Sequence, residues 1–273
     1  MVFLSFGAGV QSSVMLMMAI RGEIERPDHV IWADTGLESR AVYNHVDWSE
    51  RQCEKSGIPF HRARGKRTLR ESIEDYENDV SNFWMERPPV YAISKKTGLK
   101  GVAKRFCTRY AKIKPVQKVA LSLMGHKTAR TAKNGEAVML IGISTDEVRR
   151  ATPSQERWVD REFPLVDPLK MSRFDCQQWW SNHYGHISLP TSSCIICPYN
   201  PDSRFMAMKR DAPEDWADAV DLDSRIRAMS ARRSNQDVFV HKSYKPLGEA
   251  DLNEGQDAFD LEDSLYCAGG CGL

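Results

Sequence analysis

No stretch of this 273-residue sequence approaches the run of ~18–20 apolar residues that a membrane-spanning helix needs, so a membrane partner is not expected. The start has too short an apolar stretch, and no basic lead, to be a signal peptide. A cytoplasmic, reducing compartment is the expectation. There the seven cysteines read as metal ligands, redox groups or core residues rather than structural disulfides. No internal repeat is present. No two histidines have a metal-ligand spacing: His183 and His186 are separated by Gly185 and read as structural or surface residues. A Ser/His/Asp hydrolase arrangement is missing too. Neither common phosphate-loop fingerprint occurs, because there is no Gly-Lys-Ser/Thr ending and Gly7-Ala8-Gly9 lacks the third glycine of the dinucleotide pattern.

The largest local absence is of carboxylates. Residues 87–135 contain no Asp or Glu but thirteen Lys and Arg, an imbalance concealed by a net charge of +1. Residues 248–263 are the reverse, with seven acidic residues and no basic one. Such blocks are often only solvated faces. A basic stretch of this length nevertheless makes a polyanion, DNA or RNA, the expected partner.

What is present begins at the first residues. Val2–Phe6 is a short apolar strand that breaks into Gly7-Ala8-Gly9-Val10-Gln11-Ser12-Ser13, and an apolar helix to Arg21, closed by Gly22, follows at once. The first N–H groups of such a helix have no partner within it and favour an anion, typically phosphate. The glycines let backbone approach a ligand, and Ser12 and Ser13 add hydroxyl donors. A second strand, His29–Ala33, delivers Asp34-Thr35-Gly36 to the same edge of a parallel sheet, where ligands of open α/β sheets bind.

The remaining pattern alternates strand and helix. A helix near Ser39–Ser56 capped by Gly57, a strand Phe60–Arg64 and a helix Lys112–Leu123 that accommodates Pro115 come first. Ala137–Ile141 is a buried strand whose exit, Gly142-Ile143-Ser144-Thr145, should lie beside the first loop, and Phe163–Val166 reads as an edge element. Ser172 with Asp175 signals a helix start, and Pro213 opens a later helix. The fold class is therefore α/β: an open, mostly parallel sheet with helices on both faces, and a C-terminal helical, cysteine-bearing extension. The expected division is a nucleotide-binding domain over 1–170 and an extension with an acidic tail over 171–273. Trp84, Trp158, Trp179, Trp180 and Trp216 read as packing residues.

Cys53 and Cys176 fall on helices and read as core residues. Cys194-Ile195-Ile196-Cys197 follows Pro190 in a loop and suits zinc, an iron–sulfur cluster or dithiol chemistry. Cys107 is flanked by Arg105, Arg109 and Lys112, whose charges would favour its thiolate. Three thiolates from two separate loops suggest a 4Fe–4S cluster, with zinc the alternative. Cys267 or Cys271 is a candidate fourth ligand, and the same terminal pair also reads as a mobile thiol donor.

The loop Ser5-Phe6-Gly7-Ala8-Gly9-Val10-Gln11-Ser12-Ser13 resembles the pyrophosphate (PP) loop of the adenine-nucleotide α-hydrolase superfamily, and within it the phosphoadenosine phosphosulfate reductase family. Asp34-Thr35-Gly36 resembles that family's motif near the adenosine. The stretch from Arg105 through Cys107 to Pro115 is similar to its cysteine with a basic run and a proline, and Gly142 to Arg150 resembles the next strand end. The Cys194/Cys197 pair and the ending Cys271-Gly272-Leu273 complete the order. Two departures stand out: Gly7 replaces the superfamily's serine, and Gln11 its aspartate.

The resemblance implies that Ser5, Gly7, Gly9, Gln11, Ser12, Ser13, Asp34, Thr35, Gly36 and Gly142 bind an adenine nucleotide. That nucleotide would be ATP with Mg2+ or an adenosine phosphosulfate. Arg105, Arg109 and Lys112 would stabilise developing charge. The leading expectation is ATP-dependent adenylation and thiolation of a nucleic-acid-related substrate, with a sulfur-donor protein as a further partner. The alternatives are a sulfonucleotide reductase with Cys271 as nucleophile, and a non-catalytic nucleotide- or metal-sensing module.

Overall fold

A computed structural model describes residues 1–77 and 88–253. Trp84, most of the acidic tail, Cys267 and Cys271 lie outside these described residues. Five parallel strands form the main sheet: β1 (Val2–Phe6), β2 (His29–Ala33), β3 (Phe60–Ala63), β6 (Ala137–Ile141) and β7 (Val159–Glu162), in the order β3-β2-β1-β6-β7. The chain steps outward from β1 to β3 and then crosses back to β6, so the strand order reverses between β1 and β6. At such a switch point the connections leave the two strand ends in opposite directions and open a crevice at the carboxyl edge.

The three inner strands, β2, β1 and β6, are largely apolar on both faces because both are covered. Side chains alternate along a strand, so Phe3, Ile31, Ala33, Met139 and Ile141 enter one core while Leu4, Phe6, Val30, Trp32 and Leu140 enter the other. Helices α1 (Val10–Arg21), α2 (Arg40–Ser56) and α5 (Arg173–Tyr184) cover the Leu4 face, and α4 (Lys114–Leu123) covers the Phe3 face. Complete burial of each large side chain is worth about 1.5–3 kcal/mol. Cys53 and Cys176 are fully buried in the Leu4-face core, and burial pushes each thiol up to about 12. Trp158 and Trp180 are likewise core residues.

A second core is built from distant segments. Helices α3 (Leu69–Glu77), α6 (Asp202–Asp211) and α7 (Pro213–Arg233) pack with an antiparallel sheet of β5 (Lys100–Val102), β4 (Tyr91–Ser94) and β8 (Gln236–Phe239), in that order. Leu37, just after β2, and Ile195 and Ile196, between the paired cysteines, also belong to it. Ion pairs fasten this core to the loop after β2: Arg40 with Asp215 at 2.5 Å and Arg70 with Asp218 at 2.7 Å, while Arg70 Nε also donates to the Gly36 carbonyl.

Several expectations shift. Helix α1 begins at Val10, inside the Gly7–Ser13 run rather than after it. The edge element is Val159–Glu162, and 163–166 forms the turn after it. The carboxylate-free stretch supplies the β4–β5 hairpin, and residues Thr108–Ile113 wind as a π-helix that runs directly into α4.

Candidate active site

The first turn is held open for a ligand by its own backbone. Ala8 sits at φ 55°, an uncommon conformation for a residue with a Cβ. The Gly7 N–H donates to Ser12 Oγ at 3.2 Å, and the Ser12 hydroxyl donates to the Gly9 carbonyl at 3.3 Å. Helix α1 has Gly9 at its N-cap, no side-chain cap and no acidic residue in its first turn. Its first N–H groups are left for an anion.

Gly142, at the end of β6, packs directly on this turn. A Cβ there would lie 2.8 Å from the Ser12 nitrogen and 3.0 Å from its Cα. Gln11 joins the two strand ends: its amide donates to Ser144 Oγ and to Glu147 Oε2, each at 3.2 Å, and its carbonyl accepts from Arg173 at 3.3 Å. The residue that departs from the superfamily pattern is thus tied into the β6 exit and the start of α5.

A cavity of about 610 Å3 opens over the turn. Of the residues expected to bind nucleotide, Ser5, Gly7, Gly9, Gln11, Ser12 and Gly142 line it. Ser13 turns the other way, into the core, where its Oγ is hydrogen-bonded to His45 Nε2 at 2.8 Å. Asp34, Thr35 and Gly36 lie at the neighbouring strand end and are engaged locally. Asp34 accepts from the Gly36 N–H and from the Tyr43 hydroxyl, each at 2.8 Å.

Thr35 instead reaches a buried carboxylate, Glu38, that carries no recognisable motif. The Thr35 hydroxyl donates to Glu38 at 3.0 Å, and Lys112 Nζ is 3.5 Å from the same oxygen. Cys194 pairs with Glu38 through backbone, and its thiol is 3.5 Å from Thr35 Oγ and 3.8 Å from Glu38. Burial, and then the Glu38 carboxylate, hold the Cys194 thiol well above the ordinary cysteine range.

Cys107, Cys194 and Cys197 all face the same cavity, as do Arg105 and Lys112. Three further guanidinium groups line it: Arg150, Arg173 and Arg204. Burial lowers the Arg204 pKa, and its Nε has no hydrogen-bond partner. Among the described residues lining the cavity Glu147 is the single carboxylate, and it is paired with Arg150 at 2.7 Å. Arg150 lies in the Gly142–Arg150 motif and Arg173 beside the Ser172 cap, so both were within reach of the sequence. Arg204 had no signal, because α6 itself was not read.

Arg109 does not line this cavity. It faces a second one, of about 440 Å3, that shares Arg105, Thr108 and Tyr199 with the first. The three thiols are the right chemistry for a 4Fe–4S cluster. They share one cavity wall, and among the described residues no three His, Cys, Asp or Glu side chains are grouped so as to hold a single metal ion. A Mg2+ ion would be carried chiefly by nucleotide phosphates, with Glu147 the available carboxylate. No helix among the described residues is long and apolar enough to cross a membrane.

No curated protein is similar enough in sequence to match the chain. Residues 1–166 match the phosphoadenosine phosphosulfate reductase domain, a stretch that carries the glycine-rich turn, Cys107 with the π-helix it caps, and all five parallel strands. The chain is a member of the phosphoadenosine phosphosulfate reductase domain family, within which an adenine nucleotide is bound for sulfur chemistry.

Proposed function

We propose that the protein uses ATP to adenylate an oxygen of a nucleic-acid acceptor and then replaces that oxygen with sulfur. One observation carries the reading: a phosphate-binding turn and three cysteine thiols line a single cavity rich in guanidinium groups and nearly without carboxylates. In this account the free N–H groups of α1, with Arg150, Arg173 and Arg204, hold the phosphates of MgATP. The acceptor oxygen attacks the α-phosphorus and pyrophosphate leaves. Lys112 and Arg105 stabilise the charge that develops. The terminal sulfur of a cysteine persulfide, charged by a donor protein, then attacks the activated carbon and AMP leaves. The thiol of a second cysteine attacks the cysteine sulfur of the resulting acceptor–S–S–cysteine link, releasing the thiolated acceptor and leaving a disulfide that an external thiol reductant reduces. Residues 1–170 would supply the nucleotide half of this chemistry. Residues 171–273 would supply the Cys194/Cys197 pair and the terminal cysteines, and the basic 87–135 stretch would hold the acceptor.

No step above runs through a metal centre. Cys107, Cys194 and Cys197 are the residues a 4Fe–4S cluster or zinc would need, with Cys267 a possible fourth ligand. Purification without oxygen followed by iron, sulfide and zinc analysis tests this directly. The cluster requires stoichiometric iron and sulfide that are lost in Cys107→Ser, Cys194→Ser and Cys197→Ser and kept in Cys53→Ser and Cys176→Ser. Zinc without sulfide contradicts it.

A second reading within the same family is a sulfonucleotide reductase. The same turn would then hold an adenosine phosphosulfate while Cys271 attacks the sulfate sulfur. Calorimetric titration separates the readings at the binding step. The ATP account expects MgATP to bind more tightly than adenosine phosphosulfate, and the reverse order supports the reductase.

A further inference from the structure

The second cavity is separate from the phosphate-binding turn and has its own charge. Arg109, Lys114 and Arg161 line it together with Arg105, and Glu156 is the carboxylate among its lining residues. The π-helix explains why two of these cations meet. Residues five apart point to different sides of an α-helix, but the wider turn of a π-helix aligns them. The Lys114 N–H donates to the Arg109 carbonyl, closing such a five-residue turn. The same winding sends Cys107 and Lys112, also five apart, to the first cavity.

Arg109, Lys114 and Arg161 are not consumed by ion pairing among the described residues: none has a carboxylate partner there, and Lys114 lies over the Tyr110 ring, 4.2 Å from its centroid. Arg161 comes from β7, outside the basic stretch, and donates to the two Thr152 oxygens, each at 3.4 Å. Burial depresses its pKa, a cost that a bound anion would offset. Between the two cavities stands Arg105, its guanidinium 4.2 Å from the Tyr199 ring centroid.

We infer that the second cavity is a phosphodiester subsite: it holds the backbone of a single-stranded acceptor so that one nucleotide reaches past Arg105 and Tyr199 into the first cavity. This rests on the nucleic-acid reading above and adds where the strand lies. The cavity exceeds what one phosphate ion fills, and the nucleotide's own phosphates have their site on α1. Arg109, expected from sequence at the reaction centre, becomes a backbone contact in this assignment.

Fluorescence anisotropy of the full-length protein with labelled single-stranded RNA and DNA oligonucleotides, with orthophosphate as competitor, tests the assignment. The wild-type protein should bind, with log K falling linearly against log salt between about 50 and 200 mM, the signature of counterion release from phosphates. The Lys114→Gln/Arg161→Gln double variant should bind about tenfold more weakly with a slope smaller by about 1.4, the share of two single-strand phosphate contacts. Its MgATP affinity, measured by calorimetry, should be that of the wild type, which also shows that it is folded. Arg109→Gln, at an exposed position, should reduce the slope by about half as much. A double variant with wild-type affinity and slope overturns the subsite and leaves the acceptor reading intact. A wild-type protein that binds no oligonucleotide overturns both, and loss of the signal to millimolar orthophosphate alone reassigns the cavity to a free anion.

Discussion

Two glycines flank the phosphate turn, and a methyl group would cost very different amounts at each. At Gly9 a Cβ would meet the hydroxyl of Ser192 at 2.6 Å, a side-chain end that can rotate away. At Gly142 it would meet the backbone of Ser12 at 2.8 Å, and helix α1 cannot yield without moving its first turn. Gly142→Ala should therefore destabilise the fold by about 1–3 kcal/mol, the usual range for overpacking, and weaken nucleotide binding. Gly9→Ala should leave stability nearly unchanged. Thermal unfolding with nucleotide titration checks both. Equal stability of the two variants would mean that β6 does not brace the turn. This pairing was legible in the sequence as order only. The exit Gly142–Thr145 could be assigned to the crevice, but not the contact that makes glycine necessary.

Among the elements, the junction of α1, α2 and α5 carries an internal acid sensor. His45 of α2 is buried, hydrogen-bonded to Ser13 of α1, and packed between Trp48 and Trp180. Burial lowers its pKa from 6.5 to about 4. The unfolded chain thus binds a proton that the folded chain refuses, and stability must fall as pH drops from 6.5 towards 4. The full effect is on the order of 3 kcal/mol. A His45→Gln variant should lose this limb of the stability–pH curve in denaturant titrations. An unchanged acid limb would show that His45 protonates freely in the fold.

Elements of this kind were well marked in the sequence where their signals are local. β1, β2 and β6 are continuous apolar runs because both faces of a parallel sheet are covered. The Ser172–Asp175 capping box is present as expected. What escaped is long-range or irregular. Helices α3 and α6 and the β5-β4-β8 sheet bury themselves against one another across the whole chain. The π-helix has no compositional mark. Glu38 acquires its role only because the Cys194 strand pairs with it.

At the scale of the whole molecule, the cavity joins distant parts of the sequence: the turn after β1, the π-helix, the exit of β6, the start of α5 and the Cys194–Arg204 segment. Charge organises it. Four cations of the carboxylate-free stretch, Arg105, Arg109, Lys112 and Lys114, are distributed around the π-helix between two cavities, one with thiols and one without. The first lies at the switch point, lined by the ends of β1 and β6, and the second is lined by Arg161 of the edge strand β7. On the proposed function the architecture would set a nucleotide site, a wall of thiols and a cationic path for the acceptor side by side. On that proposal this arrangement cleaves ATP for sulfur insertion. The most direct measurement is product release by protein purified without oxygen, offered either ATP with a single-stranded acceptor or an adenosine phosphosulfate with a thiol reductant. The account predicts pyrophosphate from ATP, stimulated by the acceptor, and no sulfite. Sulfite from the phosphosulfate, lost when Cys271 is replaced and accompanied by no turnover of ATP, would contradict it.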